Sequence, residues 1–194
     1  MATRPAGNLI LEPTATAQWH KLVRDAQAAC GCSLEEELES YLTFLLMRFV
    51  ERPDMAAAVL AVEYLDGLVS AGRLRRERLR DVGDKCLLYS GLFPRRAQRK
   101  RVRVGYFVRL GTSAYRQLAD GARPGEAALF GRLAEGFVAM MDVLQSMRSD
   151  ERLDPLAAHE LWADTGSPRA RRRLSELTAA TPLAGPAGAG PHRH

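Results

Sequence analysis

Aromatic residues are scarce in this chain: 7% of 194 positions. Ala and Leu outnumber Val, Ile and Thr, the residues that favour pleated, half-buried surfaces, so a β-rich fold is disfavoured. Long apolar runs are missing too. Nothing approaches the roughly 20 residues that would cross a bilayer, so no membrane partner is expected. Near the start, Leu9, Ile10 and Leu11 stop at Glu12-Pro13, short of the about 7–15 apolar residues of a secretory signal. The three cysteines, Cys30, Cys32 and Cys86, form no regular framework. Free thiols in a reducing cytoplasm are the expectation, and a bridge across the single Gly31 reads as geometrically awkward.

Catalytic and metal-binding sets are also lacking. Of four histidines, two (His192 and His194) fall in an Ala/Gly/Pro-rich end. His159-Glu160 has no second His for a zinc helix, and Cys30-Gly31-Cys32 departs from the usual Cys-x₂₋₄-Cys spacing. The run Glu35, Glu36, Glu37, Glu39 has no Glu-x-x-His counterpart, so a di-iron bundle is unsupported. Neither Ser90-Gly91 nor Gly111-Thr112-Ser113 follows a strand as a phosphate loop would. No metal, cofactor or catalytic residue is expected, and an enzyme is the less favoured reading.

The chain does carry helical periodicity almost throughout. A first helix follows Thr16, with Trp19, Leu22, Val23 and Ala26 as its stripe and Gly31 as its stop. Ser33 opens a second through a capping box with Glu36. This helix is apolar around most of its circumference (Tyr41, Leu42, Phe44, Leu45, Leu46, Met47, Phe49, Val50), which makes it the candidate centre of the core. A third runs from about Asp54 to Ser70 with Val59, Val62, Leu65, Leu68 and Val69 inward. A fourth spans Arg73 to Leu92. In the fifth, Arg95 to Ala119, residues 102–110 alternate like a strand. The helical spacing of Val104, Phe107, Val108, Gly111, Ala114, Tyr115 and Leu118 extends further, and no partner strand exists, so helix is preferred. A sixth, Glu126 to Arg148, carries Phe130, Leu133, Phe137, Met140, Met141, Leu144 and Met147. Short helices follow at Asp154-Pro155 and Ser167-Pro168. The expected fold is all-α, one bundle of about six to eight helices over residues 14–178, since such stripes need each other for burial. Residues 1–13 read as an extension and 179–194 as a disordered tail.

Charge is segregated. Residues 1–70 hold 5 basic and 10 acidic side chains, residues 71–110 hold 13 and 3, and the remainder balances at 10 and 10. The basic block comprises Arg73, Arg75, Arg76, Arg78 and Arg80, then Arg95, Arg96, Arg99, Lys100, Arg101 and Arg103, and a further cluster is Arg169, Arg171, Arg172 and Arg173. On a helix Arg96, Arg99, Lys100 and Arg103 share a face, so Arg95, Arg96, Arg99, Lys100 and Arg103 are the candidate anion- or partner-binding residues. The alternative is a solvated face balanced by Glu35, Glu36, Glu37 and Glu39. The expected function is non-catalytic: a cytoplasmic interaction or regulatory protein docking an acidic protein partner. Nucleic acid bound through its phosphates is the alternative, without a recognisable DNA- or RNA-reading motif. A third possibility is a ligand pocket near Asp84, Tyr89 and Tyr115, with Asp84 buried beside an Arg of the next helix. A homodimer through Gly105 and Gly111, or through the Met-rich helix, is a further expectation.

The residues Val82-Gly83-Asp84, Leu87 through Pro94, Val102, Tyr106-Phe107, Gly111 and Ala114-Tyr115 form a pattern that resembles uncharacterised bacterial helical proteins. The resemblance covers about 35 residues, under a fifth of the chain. It implies a bacterial cytoplasmic protein and no particular activity or ligand.

Overall fold

The computed structural model describes residues 14–51, 60–94, 102–148 and 153–178. Among them are nine helices and no strands: α1 Ala15–Cys30, α2 Glu36–Glu51, α3 Leu60–Val69, α4 Gly72–Leu92, α5 Val104–Asp120, α6 Pro124–Glu135, α7 Phe137–Ser146, α8 Pro155–Thr165 and α9 Pro168–Thr178. The chain is an all-α, single-domain bundle. The ambiguous alternation at 102–110 resolves as helix from Val104, because Phe107, Val108, Ala114, Tyr115 and Leu118 are buried on one side.

The ends follow local chemistry. Thr14, not Thr16, caps α1, accepting from the Ala17 amide at 3.3 Å. Gly31 ends that helix at φ 59°, a left-handed conformation that suits glycine. Helix α2 starts at Glu36, later than the Ser33 capping box implies, and the Leu34 amide before it donates to Gln27 Oε1 on α1 at 2.6 Å. Asp154 and Ser167 cap α8 and α9, accepting from Ala157 and Ala170.

The centre of the core is the second half of α4, not α2. Leu79, Val82, Cys86, Leu87 and Leu88 are fully buried, and Gly83, Ser90 and Gly91 are buried with them. These small residues admit neighbours on every side: α5, α3 and α7 all pack on α4. Phe44 and Val50 of α2, by contrast, are 58% and 60% exposed.

The expected sixth helix is two. The break falls at Gly136, whose missing side chain makes room for Leu38: a Cβ would lie 2.6 Å from Leu38 Cδ1. Met140 and Met141 behind the break are fully buried, so that Met-rich face is spent inside the molecule. Gly105 and Gly111 are likewise occupied. A Cβ on Gly111 would meet Phe137 and Cys86 at 2.6 and 2.8 Å, and one on Gly105 would meet Asp164.

Helix α3 is turned relative to expectation. Leu60 and Gly67 are buried, with Gly67 close against Leu79, while Val62, Leu65 and Val69 are 54%, 60% and 85% exposed. The close approach allowed by Gly67 decides which side faces α4. The larger apolar stripe is left outward.

Candidate functional site

Asp84 lies on the second half of α4, 1% exposed. Tyr41 of α2 and Tyr115 of α5 both donate to its Oδ1, at 2.6 and 2.7 Å. The Arg48 guanidinium of α2 donates to Oδ2, and Arg80, one turn back on α4, sits 3.8 Å from the same oxygen. The rings of Tyr41 and Tyr115 meet edge-on at 6.3 Å, and Arg80 stacks over Tyr41 at 5.6 Å. Burial, reinforced by the adjacent carboxylate, pushes both phenols well above the ordinary tyrosine range. They remain donors. Burial also raises Asp81 against the opposing pull of Arg48, 3.8 Å away.

The expected arginine partner is present, though it comes from α2 and from α4 itself, not from the next helix. Of the proposed pocket residues, Asp84 and Tyr115 are brought together. Tyr89 is elsewhere, stacked on Phe107 at 5.4 Å. The space beside Gly83 is filled: a Cβ there would lie 2.7 Å from Tyr115 Cδ1. With both oxygens engaged, this cluster ties α2, α4 and α5 together. Tyr41 escaped sequence reading because its spacing is that of a core residue. Its hydroxyl is what makes the cluster complete.

Arg95, Arg96, Arg99, Lys100 and Arg101 lie outside the described residues. Arg103 is described and exposed, immediately before α5. The first half of the basic block is therefore the part whose geometry is visible. Arg75 and Arg78 close the C-terminal end of α3: Arg75 donates to Leu68 O at 3.0 Å and to Gln117 at 2.9 Å, and Arg78 to Asp66 O and Ser70. Arg73 pairs with Glu77 at 2.6 Å. Arg76 is exposed and has no side-chain partner among the described residues.

Among the described residues, the partners of Glu35, Glu37 and Glu39 lie outside this block. Glu37 pairs with Arg132 of α6, and Glu35 lies 3.9 Å from the same arginine. Glu39 accepts from Arg24 at 2.8 Å and Gln27 at 3.0 Å, with His20 at 3.4 Å. Burial pushes the Glu39 carboxyl up, but those hydrogen bonds prevail and hold it below the usual carboxylate range. The first turns of α4 thus remain positive. Leu74 (50%) on α4 and Val69, Leu65 and Val62 on α3 are also exposed.

Two other polar groupings are architectural. Asp142 accepts from Ser167 at 2.7 Å and from the Arg169 amide at 3.1 Å, anchoring the start of α9. Burial raises its pKa in spite of those bonds. Asp164 accepts from the Gly105 amide at 2.7 Å at the start of α5, where the helix dipole favours a carboxylate. Among the described residues no three or more His, Cys, Asp and Glu are grouped as metal ligands, and no helix is long and apolar enough to cross a membrane.

The cysteines depart from expectation. Cys30 and Cys32 form a disulfide across Gly31, and Cys86 is a free, fully buried thiol. The left-handed backbone at Gly31 turns the chain back so that both side chains project together. That turn is what spacing alone does not show. Compared with known protein families, characterised proteins and solved structures, the chain matches none.

Proposed function

We propose that the protein is a non-catalytic docking module that receives an acidic, amphipathic protein segment on the face formed by α3 and the first turns of α4. The observations behind this reading are the outward apolar stripe of α3, Val62, Leu65 and Val69, and on the neighbouring start of α4 the exposed Leu74 and the exposed Arg76, which has no side-chain partner among the described residues. Apolar side chains at i, i+3 and i+7 suit a helix laid alongside, and the arginines select for carboxylates. Exposed apolar area of this kind favours a protein partner over a nucleic-acid backbone, whose contacts are dominated by phosphate charge. Arg103 and the basic residues at 95–101 extend the same charge along the sequence.

The test is fluorescence anisotropy with three probes: a Glu/Leu amphipathic helical peptide, polyglutamate and a short DNA duplex. The peptide is expected to bind more tightly than polyglutamate. Combining Leu65→Ser with Arg76→Glu is expected to weaken it at least about tenfold, equivalent to about 1.4 kcal/mol. Absence of peptide binding at low salt would overturn the proposal. So would tighter binding of the duplex with a steep salt dependence, which is the nucleic-acid alternative.

A further inference from the structure

The Cys30–Cys32 disulfide spans one residue and joins no two elements. A cross-link that closes so short a loop removes little entropy from the unfolded chain. Its effect is local. The bond closes a small ring that contains the carbonyl carbons of both Cys30 and Gly31, so it restrains the peptide groups on either side of Gly31. Gly31 sits at φ 59°. Glycine populates either sign of φ readily. With the ring open, the turn rests on backbone bonds from the Gly31 amide to Ala28 O and from the Cys32 amide to Gln27 O, both 3.1 Å.

The two ring carbonyls share one donor. The Arg172 guanidinium of α9 donates from one terminal nitrogen to Gly31 O at 2.7 Å and from the other to Cys30 O. A planar fork of this kind is strongest on two acceptors held in a fixed relation. An open cleft of about 230 Å³ is lined by Ala29 and Cys30 of α1 and by Arg172 and Glu176 of α9, among others, so α9 reaches α1 here by polar bonds and not by close apolar packing. Its other anchors lie elsewhere: the Asp142 cap, Arg173 on Leu153 O at 3.2 Å, and buried Ala170 and Leu174. Asp142 also attracts Arg172 through its charge, but that pull needs no particular set of the Gly31 backbone.

We propose that Cys30–Cys32 is a redox switch that sets how firmly α9 is held to the end of α1, with a dithiol as its reductant. One thiolate of the dithiol attacks a sulfur of the pair. The new S–S bond forms as the Cys30–Cys32 bond breaks, and the electron pair leaves on the other cysteine sulfur, which takes a proton from water. The second thiolate of the dithiol then attacks the dithiol's own sulfur in the mixed disulfide. The remaining cysteine departs with its electron pair and is protonated. The pair gains two electrons and two protons, and the dithiol becomes a disulfide. Opening the ring lets the peptide groups beside Gly31 turn independently. Arg172 must then order two carbonyls that the closed ring presents already aligned, its grip weakens, and α9 opens more often. Linkage requires the converse: Arg172 stabilises the disulfide by the same factor. Buried Cys86 takes no part.

The experiment compares the full chain oxidised and reduced with dithiothreitol, by hydrogen exchange read on peptides from α9 and from α4. On reduction the α9 amides are expected to exchange at least about threefold faster, with α4 unchanged. The chain carrying both Cys30→Ser and Cys32→Ser is expected to match the reduced wild type. Arg172→Ala is expected to speed α9 exchange in the oxidised chain and to erase the redox difference. Arg172→Lys keeps the charge without the fork and is expected to reduce that difference. Arg171→Ala, at an exposed position of the same helix, is expected to retain it. In dithiothreitol redox buffers, quenched by alkylation and read by intact mass, Arg172→Ala is expected to shift the equilibrium toward the dithiol by the same factor of at least about three. Equal α9 exchange in the two redox states would overturn the proposal. So would a full difference persisting in either Arg172 variant, or an unchanged dithiothreitol equilibrium in Arg172→Ala. Loss of protection throughout α4 on reduction would show the bond to be a global staple and overturn it too.

Discussion

Replacing Gly83 by Ala tests whether the Asp84 cluster is packed as tightly as its geometry requires. The added Cβ would lie 2.7 Å from Cδ1 and 2.9 Å from Cζ of the Tyr115 ring. That ring cannot retreat easily. It is fully buried and backed by Tyr41, Phe130 and Phe137, with centroids 6.3, 6.2 and 6.0 Å away. Overpacking of this kind costs about 1–3 kcal/mol. If the ring shifts, its hydroxyl leaves Asp84, at a further cost of about 1.5–3 kcal/mol for a bond to a charged group. Ala regains about 1 kcal/mol of helix propensity over Gly. The net expectation is a destabilisation of about 1.5–5 kcal/mol. In a chain of this size that lowers Tm by roughly 3–20 °C. Urea and thermal unfolding followed by circular dichroism would measure it. Gly131→Ala is the control: nothing lies within 4 Å of its Cβ position, and it should gain about 0.5–1 kcal/mol. Adding Tyr115→Leu to Gly83→Ala should cost less than the sum of the single changes. A Gly83→Ala variant as stable as wild type would refute the reasoning.

Asp84→Asn removes the charge facing Arg48 and should cost about 3–5 kcal/mol in urea unfolding; a loss below about 1 kcal/mol would mean that the arginine finds water instead. The depressed pKa of Glu39 contributes stability that is complete above the unfolded carboxylate range and is lost as pH falls through the lower folded value. The Tm gap between wild type and Glu39→Gln should therefore be widest above about pH 5 and narrow on acidification; a gap independent of pH would contradict this. Asp142, raised by burial, has the opposite sign: its contribution is present below the unfolded carboxylate pKa and falls as pH rises through the folded one. In Asp142→Asn that decline with rising pH should disappear from a pH series of melts.

The all-α architecture and most helix positions were legible because periodicity, caps and glycine stops act locally: Gly31, Asp154 and Ser167 do in the fold what their types suggest. Orientation was less legible. Helix α3 has apolar residues on both sides, and the choice between them is made by the small Gly67 surface against Leu79, a long-range fit that no spacing encodes. The same holds for α4, whose centrality comes from what Gly83 and Gly91 omit. Around Asp84 the sequence suggested burial and an arginine, since a lone carboxylate in an apolar stretch needs a counter-charge. It could not indicate Tyr41 and Arg48, because those arrive from a helix more than thirty residues earlier.

The position of Cys86 has an experimental consequence. Its thiol is fully enclosed and burial raises its pKa well above the ordinary range, while the other two sulfurs are already bonded to each other. Under non-reducing conditions an alkylating reagent can therefore mark a molecule only after the bundle has come apart around α4. Each labelled chain then records one opening, so the wild-type protein carries its own clock for how often its interior meets water.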